Sequence, residues 1–202
     1  RFLKTHSTLN NINGNPFTDL KNSLGVIYIV RDPRKIVSSY ANHSTLTLEQ
    51  AQKRILEVST LGGKNELLNK TIIHAGSWSS NYHSWKEFKK IDRYLLIKYE
   101  DLVTETEKIF TEVLRFIYKL TKSNEVINDV KVSNTLNTTK FEYLQNLEEE
   151  VGFKEATFGE GDKKNKFFKY GSKNDGIKNI PIDLRKNLEK ILNKEMKELG
   201  YL

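Results

Sequence analysis

The 202-residue chain contains no cysteine. That excludes a disulfide framework and any thiolate metal site. It favours a reducing compartment, so a cytoplasmic location is expected. Proline is scarce, at three residues, and the sequence contains no internal repeat. The longest apolar run, Leu24 to Val30, falls far short of the roughly 20 residues needed to span a bilayer. The four histidines show no HxxxH-like ligand spacing, and no metal site is expected. The chain opens on Arg1 rather than Met, and a processed form or a fragment is expected.

What is present is a globular composition, 37% hydrophobic and 29% charged. It predicts one well-buried domain over residues 1–202. The formal net charge is +7. A basic balance suits an anionic partner. The lysines are spread along the chain, however, so the charge only permits such a ligand.

Leu24 to Val30 reads as a strand buried on both faces. The following Asp32 and Pro33 have the chemistry of an N-cap and a first helical residue. Thr47 and Gln50 form a capping-box pattern ahead of Leu48, Ala51, Ile55 and Val58. Trp78, Tyr82, Trp85 and Phe88 recur at helical spacing and read as core. Tyr94 to Glu100 reads as a second buried strand, and Thr104 with Glu107 as a second capping box. Leu184, Leu188, Ile191, Leu192 and Leu199 predict one last amphipathic helix, closed by Gly200. The polar stretch Thr157 to Asn179 reads as a linker or a lid. Strands alternating with helices predict one α/β domain with a parallel sheet.

Arg31 stands at the mouth of the first strand, with Ser38 and Ser39 two turns along the next helix. A guanidinium and a hydroxyl together suit a phosphate. A plainer reading has Arg31 pairing with its neighbour Asp32. Lys4 and His6, two positions apart on an extended segment, share a face. They can supply charge stabilisation and a general base. His43, His74 and His83 read as surface or structural residues, Glu100 and Asp101 as structural, and Leu147 to Val151 as a solvated face.

The ordered series FLKTH, YIVRDPRKIVSSY, GSWSSNYHSWKE, LLIKYEDL, TTKFEYLQNLEEEVGF and KFFKYGSKNDGIKN resembles the sulfotransferase family that uses 3′-phosphoadenosine 5′-phosphosulfate (PAPS). The resemblance runs through MKELGYL, nearly the whole chain. It implies a P-loop-NTPase-like three-layer α/β fold, its central parallel sheet flanked by helices. It also implies sulfuryl transfer to a hydroxyl or amine, with 3′,5′-adenosine bisphosphate as product and no metal. By resemblance, Arg31 and Ser39 hold the 3′-phosphate, and Ser38 lies near the transferring group. His6 is the general base, and Lys4 stabilises the sulfuryl group. Tyr99 lies beside the adenine, and Thr139 with Phe141 forms a nucleotide-binding element. Lys169, Tyr170 and Gly171 stand where the family has Arg-Lys-Gly, so charge is kept without the guanidinium fork.

The family's opening P-loop-like segment has no counterpart. Gly62-Gly63-Lys64 follows no strand and is not followed by Ser or Thr. The first strand and loop are therefore expected to be missing from this chain, and the chain to be inactive. A P-loop kinase would require Gly-Lys-Ser/Thr and magnesium-binding carboxylates, and the Lys-Thr-His opening argues against it. A nucleic-acid module would require exposed aromatics on a basic face, whereas the aromatics here read as core. Small-molecule and carbohydrate acceptors are both compatible, and no nucleic-acid partner or membrane span is expected.

Overall fold

The computed structural model describes residues 1–61, 72–153, 166–168 and 176–202. Gly62-Gly63-Lys64, most of the polar stretch, and Lys169, Tyr170 and Gly171 lie outside the described residues.

A short antiparallel hairpin, β1 (Asn11–Ile12) and β2 (Asn15–Pro16), comes first. Its turn places Asn13 and Gly14 at positive φ, the residues that tolerate a left-handed backbone best. Strand β3 (Val26–Val30) leads into α1 (Pro33–Ser44). Asp32 caps α1 by accepting the Arg34 N–H, and Pro33 takes the first turn, as the sequence predicts. Helix α2 (Leu48–Leu56) has the full Thr47–Gln50 capping box. It ends before Val58, which is 82% exposed and lies off the predicted helical face. Strands β4 (Ser59–Leu61) and β5 (Ile73–Gly76) pair antiparallel.

Helix α3 (Trp78–Trp85) opens on a Ser77–Ser80 capping box and passes into a 3-10 helix, Lys86–Ile91. Tyr82, Trp85 and Phe88 are buried across this pair, which confirms the aromatic stripe as core. Strand β6 (Tyr94–Lys98) pairs parallel with β3. Tyr99 is not strand but opens α4 (Tyr99–Thr104), so Glu100 and Asp101 lie in a first helical turn rather than at a strand end.

The predicted Thr104–Glu107 box does not form. The Thr104 hydroxyl donates back to Glu100 O inside α4, and α5 (Thr106–Thr121) starts without a side-chain cap. Two helices beyond the sequence prediction follow, α6 (Asp129–Thr138) and α7 (Phe141–Val151). The predicted last helix is two, α8 (Ile182–Ile191) and α9 (Asn193–Glu198), ending at Gly200 with φ +69°.

The main core lies where α1, α2, α8 and α9 meet, around Val37, Ala51, Leu188 and Met196, all fully buried. One face of β3, carrying Tyr28 and Val30, packs on Tyr82 of α3 and on Leu199. Helix α5 closes on the start of β3. A Cβ at Gly25 would sit 2.4 Å from Leu120 Cδ1 and 3.0 Å from Arg93 O. Strand β3 is not buried on both faces as its composition predicts: Ile29 is 57% exposed. Tyr28 and Val30 point to the packed face, and the opposite face is left uncovered at Ile29; among the described residues the strand pairs only with β6. The chain is thus mixed α/β, with a parallel strand pair flanked by helices. Among the described residues no helix is long and apolar enough to cross a membrane.

Candidate functional site

The β3–β6 register pairs Val30 with Lys98, so Arg31 and Tyr99 are the next residues beyond the same end of both strands. That is why they meet: the Arg31 guanidinium lies over the Tyr99 ring, 4.5 Å from its centroid. Ligands of parallel sheets sit at this carboxyl end. Arg31 Nε is buried and, among the described residues, has no hydrogen-bond partner. A buried unsatisfied N–H is costly, and an anion placed there would relieve it.

Arg31 does not pair with Asp32. Arg34 takes that role. Arg34 Nε donates to Asp32 Oδ1 at 3.0 Å, and Nη2 donates to Oδ2 at 2.7 Å. Arg34 also reaches Glu189 Oε1 at 2.7 Å and the carbonyl of Tyr201 at 2.8 Å. Glu100 braces the same turn. It accepts the Asp32 N–H at 3.3 Å and the Tyr201 hydroxyl at 3.1 Å, with Lys35 Nζ 3.9 Å away. The Asp32 hydrogen bond, with the Glu189 pair, raises the already high pKa of Arg34 despite its burial. Burial and the nearby Glu100 likewise raise the Tyr201 phenol.

Ser38 and Ser39 lie on the second turn of α1. Both hydroxyls donate to Lys35 O, at 3.4 and 3.3 Å, and keep their lone pairs as acceptors. Buried Gly176 lies against this turn. A Cβ there would stand 2.9 Å from Ser38 Oγ and 3.0 Å from Lys35 Cα, so only glycine fits without movement.

Lys4 and His6 line a cleft of about 860 Å³ together with Asn10, Ile12, Asn13, Asn15, Phe17 and His74. The segment behind them is held by its backbone. Trp85 Nε1 donates to Ser7 O at 3.0 Å, and Thr8 N–H donates to His74 O at 2.8 Å. Asn81 is the hub. Its amide donates to His6 O at 3.1 Å and to Ala75 O at 2.8 Å, and it accepts the Tyr28 hydroxyl at 3.0 Å. This amide therefore joins the His6 segment to the strand that carries Arg31. Sequence reasoning passed over Asn81 because it sits inside an aromatic helical stripe. The available signal was a poor helix former in mid-helix, a residue type that bonds elsewhere. His74, read from sequence as surface or structural, is a wall of the cleft.

Thr139 and Phe141 stand at the corner between α6 and α7. The Thr139 hydroxyl donates back to Thr135 O at 3.0 Å. Phe141 packs edge-to-face with Phe168 at 5.9 Å, and Phe167 in turn meets His43 of α1 at 5.8 Å. Glu148, read from sequence as solvated, accepts the backbone N–H groups of Phe167 and Phe168 at 2.7 and 2.9 Å. Arg31, Ser38 and Ser39 thus belong to one strand–turn–helix unit, and Tyr99, at the start of α4 beyond the paired strand β6, is brought against Arg31. Lys4 and His6 share a cleft linked to that unit, and Phe141 reaches α1 through Phe168 and Phe167.

Comparison with known proteins bears on this arrangement. The chain is 28% identical to rat sulfotransferase 2A6 over 110 residues, 54% of this chain and 37% of that protein. It is 24% identical to a guinea-pig (Cavia porcellus) 3-beta-hydroxysteroid sulfotransferase over 138 residues, 59% of this chain and 46% of that protein. The chain therefore spans less than half the length of these curated relatives. Retinol dehydratase, solved with androsterone and the inactive cofactor PAP, superposes with a TM-score of 0.65 at 16% identity, covering 98% of this chain and 53% of that one. Mouse sulfotransferase SULT7A1 complexed with PAP gives 0.58 at 18% identity, covering 86% and 58%. At such identities the superpositions establish the fold, and the sequence carries the lineage. Residues 1–200 match the sulfotransferase domain, and the chain belongs to that family.

Proposed function

We propose that this chain carries the 3′-phosphate and acceptor sides of a PAPS-dependent sulfotransferase site. The observation that carries the reading is Arg31: a guanidinium stacked on Tyr99, with a buried Nε that has no hydrogen-bond partner among the described residues. A nucleotide 3′-phosphate would satisfy that group, and the Ser39 hydroxyl one helix turn beyond Lys35 would add a donor after rotating away from Lys35 O. Tyr99 would lie beside the adenine, and Thr139 with Phe141 would border it. Lys169, Tyr170 and Gly171 would complete the phosphate contacts.

PAPS supplies the activated sulfuryl group. The protein's own work is positioning, charge stabilisation and proton removal, as in phosphoryl transfer. The acceptor occupies the cleft walled by the hairpin, Phe17 and His74. His6 would take the proton as the acceptor oxygen or nitrogen forms its new bond to sulfur and the bond from sulfur to the nucleotide's 5′-phosphate oxygen breaks, releasing 3′,5′-adenosine bisphosphate. Lys4 would offset charge on the transferring group, and Ser38 would lie near that group.

Calorimetry with 3′,5′-adenosine bisphosphate, and 5′-AMP as control, tests the reading. The bisphosphate is expected to bind at least about tenfold more tightly, as one charge-assisted contact implies. Arg31→Ala is expected to abolish that preference. Equal affinity for both nucleotides in a folded wild-type chain would overturn Arg31 as the 3′-phosphate residue.

A further inference from the structure

The turn that carries Arg31 contains a hazard for any anion site. Asp32 follows Arg31 directly and is 3% exposed. It cannot simply be absent, because its carboxylate caps α1 through the Arg34 N–H at 2.9 Å. A buried carboxylate beside a guanidinium would normally take that guanidinium as its partner, and the remaining charge would repel a phosphate.

Here the carboxylate is already taken. Arg34 grips both Asp32 oxygens with a planar fork, through Nε and Nη2. Its other contacts, Glu189 and the Tyr201 carbonyl, hold the fork from the far side. Glu100, the other carboxylate at the turn, is engaged by the Asp32 N–H, Lys35 and Tyr201. Among the described residues Arg31 makes no ion pair, and its guanidinium rests on the Tyr99 ring.

We infer that Arg34 is a positioning residue for the anion site: by sequestering Asp32 it keeps that carboxylate off Arg31 and leaves Arg31 available to a phosphate. This rests on the assignment of Arg31 proposed above. It makes Asp32 and Arg34 a matched pair. Asn can cap a helix as Asp does but carries no charge, so the need for Arg34 disappears once Asp32 becomes Asn.

The test is the ratio of affinities for 3′,5′-adenosine bisphosphate and 5′-AMP, measured by calorimetry on the full chain. A role confined to fold stability would weaken both ligands together and leave the ratio unchanged. Arg34→Gln is expected to lower the ratio about tenfold, the scale of one lost charge-assisted contact. Asp32→Asn is expected to keep the wild-type ratio, and Asp32→Asn/Arg34→Gln to restore it. If Arg34→Gln does not fold, Arg34→Lys keeps the charge without the fork and is expected to lower the ratio a few-fold. A wild-type ratio in the folded Arg34 variant, or a folded double variant with a low ratio, overturns the inference alone. A wild type that binds both nucleotides equally overturns the Arg31 assignment itself, and this inference with it.

Discussion

Asn81 needs both halves of its amide at once. The NH2 group serves two carbonyls, His6 O and Ala75 O, while the oxygen accepts from Tyr28. Burial raises the Tyr28 phenol well above its ordinary value, so the hydroxyl stays protonated and must donate. Asn81→Ala removes the donor to two carbonyls and the acceptor for Tyr28. We expect a loss of about 1–3 kcal/mol in urea unfolding. Asn81→Asp keeps the acceptor but faces two carbonyl oxygens with a third, and should be no better than Ala. A midpoint unchanged in both variants would remove Asn81 from its place as the hub. At this scale the sequence was least informative. Beside their local bonds, Asn81 reaches Tyr28, Arg34 reaches Tyr201 and Glu100 reaches Asp32, 53 to 167 positions away. Nothing in a local window points to those partners.

The junction of β5 and α3 shows what an element demands of one residue. Gly76 has φ +69°, and a Cβ there would come within 2.6 Å of both Ser80 Oγ and Thr8 Cγ2. Gly200 has the same φ, but its Cβ would meet only Lys98 Nζ, at 3.7 Å. Both alanine variants bear the left-handed backbone cost of about 1–2 kcal/mol. Only Gly76→Ala also crowds its neighbours, so its melting temperature should fall clearly further than that of Gly200→Ala. Equal shifts would mean that the Thr8 and Ser80 side chains yield freely. The local caps at Asp32 and at Thr47–Gln50 were legible, while the equally local Ser77–Ser80 box, lacking the usual Glu or Gln, was not. The Thr104–Glu107 pattern failed because α4 claimed the Thr104 hydroxyl first. Helix α6 escaped notice because its Asn- and Thr-rich segment gives little periodic signal, whereas α7 carries Phe141, Leu144, Leu147 and Val151 at helical spacing beneath its run of glutamates.

Across the whole molecule, α3 and α9 meet along a polar seam. Glu195 accepts from Ser79 at 2.6 Å and contacts His83 Nε2 at 2.9 Å, while Glu198 accepts from Tyr82 and Lys86. Burial works to raise the Glu195 carboxyl, but the Ser79 and His83 hydrogen bonds outweigh it and hold it below its ordinary 4.5. The Lys86 contact, against a smaller burial effect, does the same for Glu198. Both groups therefore bind protons more readily when unfolded. Their stabilisation is complete above about pH 4.5 and is lost as pH falls through the lowered native values. Urea unfolding should show wild type more stable than Glu195→Gln by about 1 kcal/mol at pH 7, with the gap narrowing at pH ~3. A gap that stays constant with pH would show that the Glu195 charge contributes nothing at the seam.

The sequence by itself determined the family, the strand–turn–helix around Arg31, the aromatic core stripe and the mixed α/β class. Each rests on a local pattern of residue types, which the chain carries whatever its tertiary fold. The tertiary structure decided that Glu189 and the Tyr201 carbonyl hold Arg34 in place on Asp32, and that Asn81 joins His6 to the Arg31 strand. It also decided that His74 walls the cleft and that β3 keeps an exposed flank. These depend on which distant segment arrives beside which. Parallel strand pairing and the return of the C-terminal helices fix that arrangement, and no local window of residues encodes it.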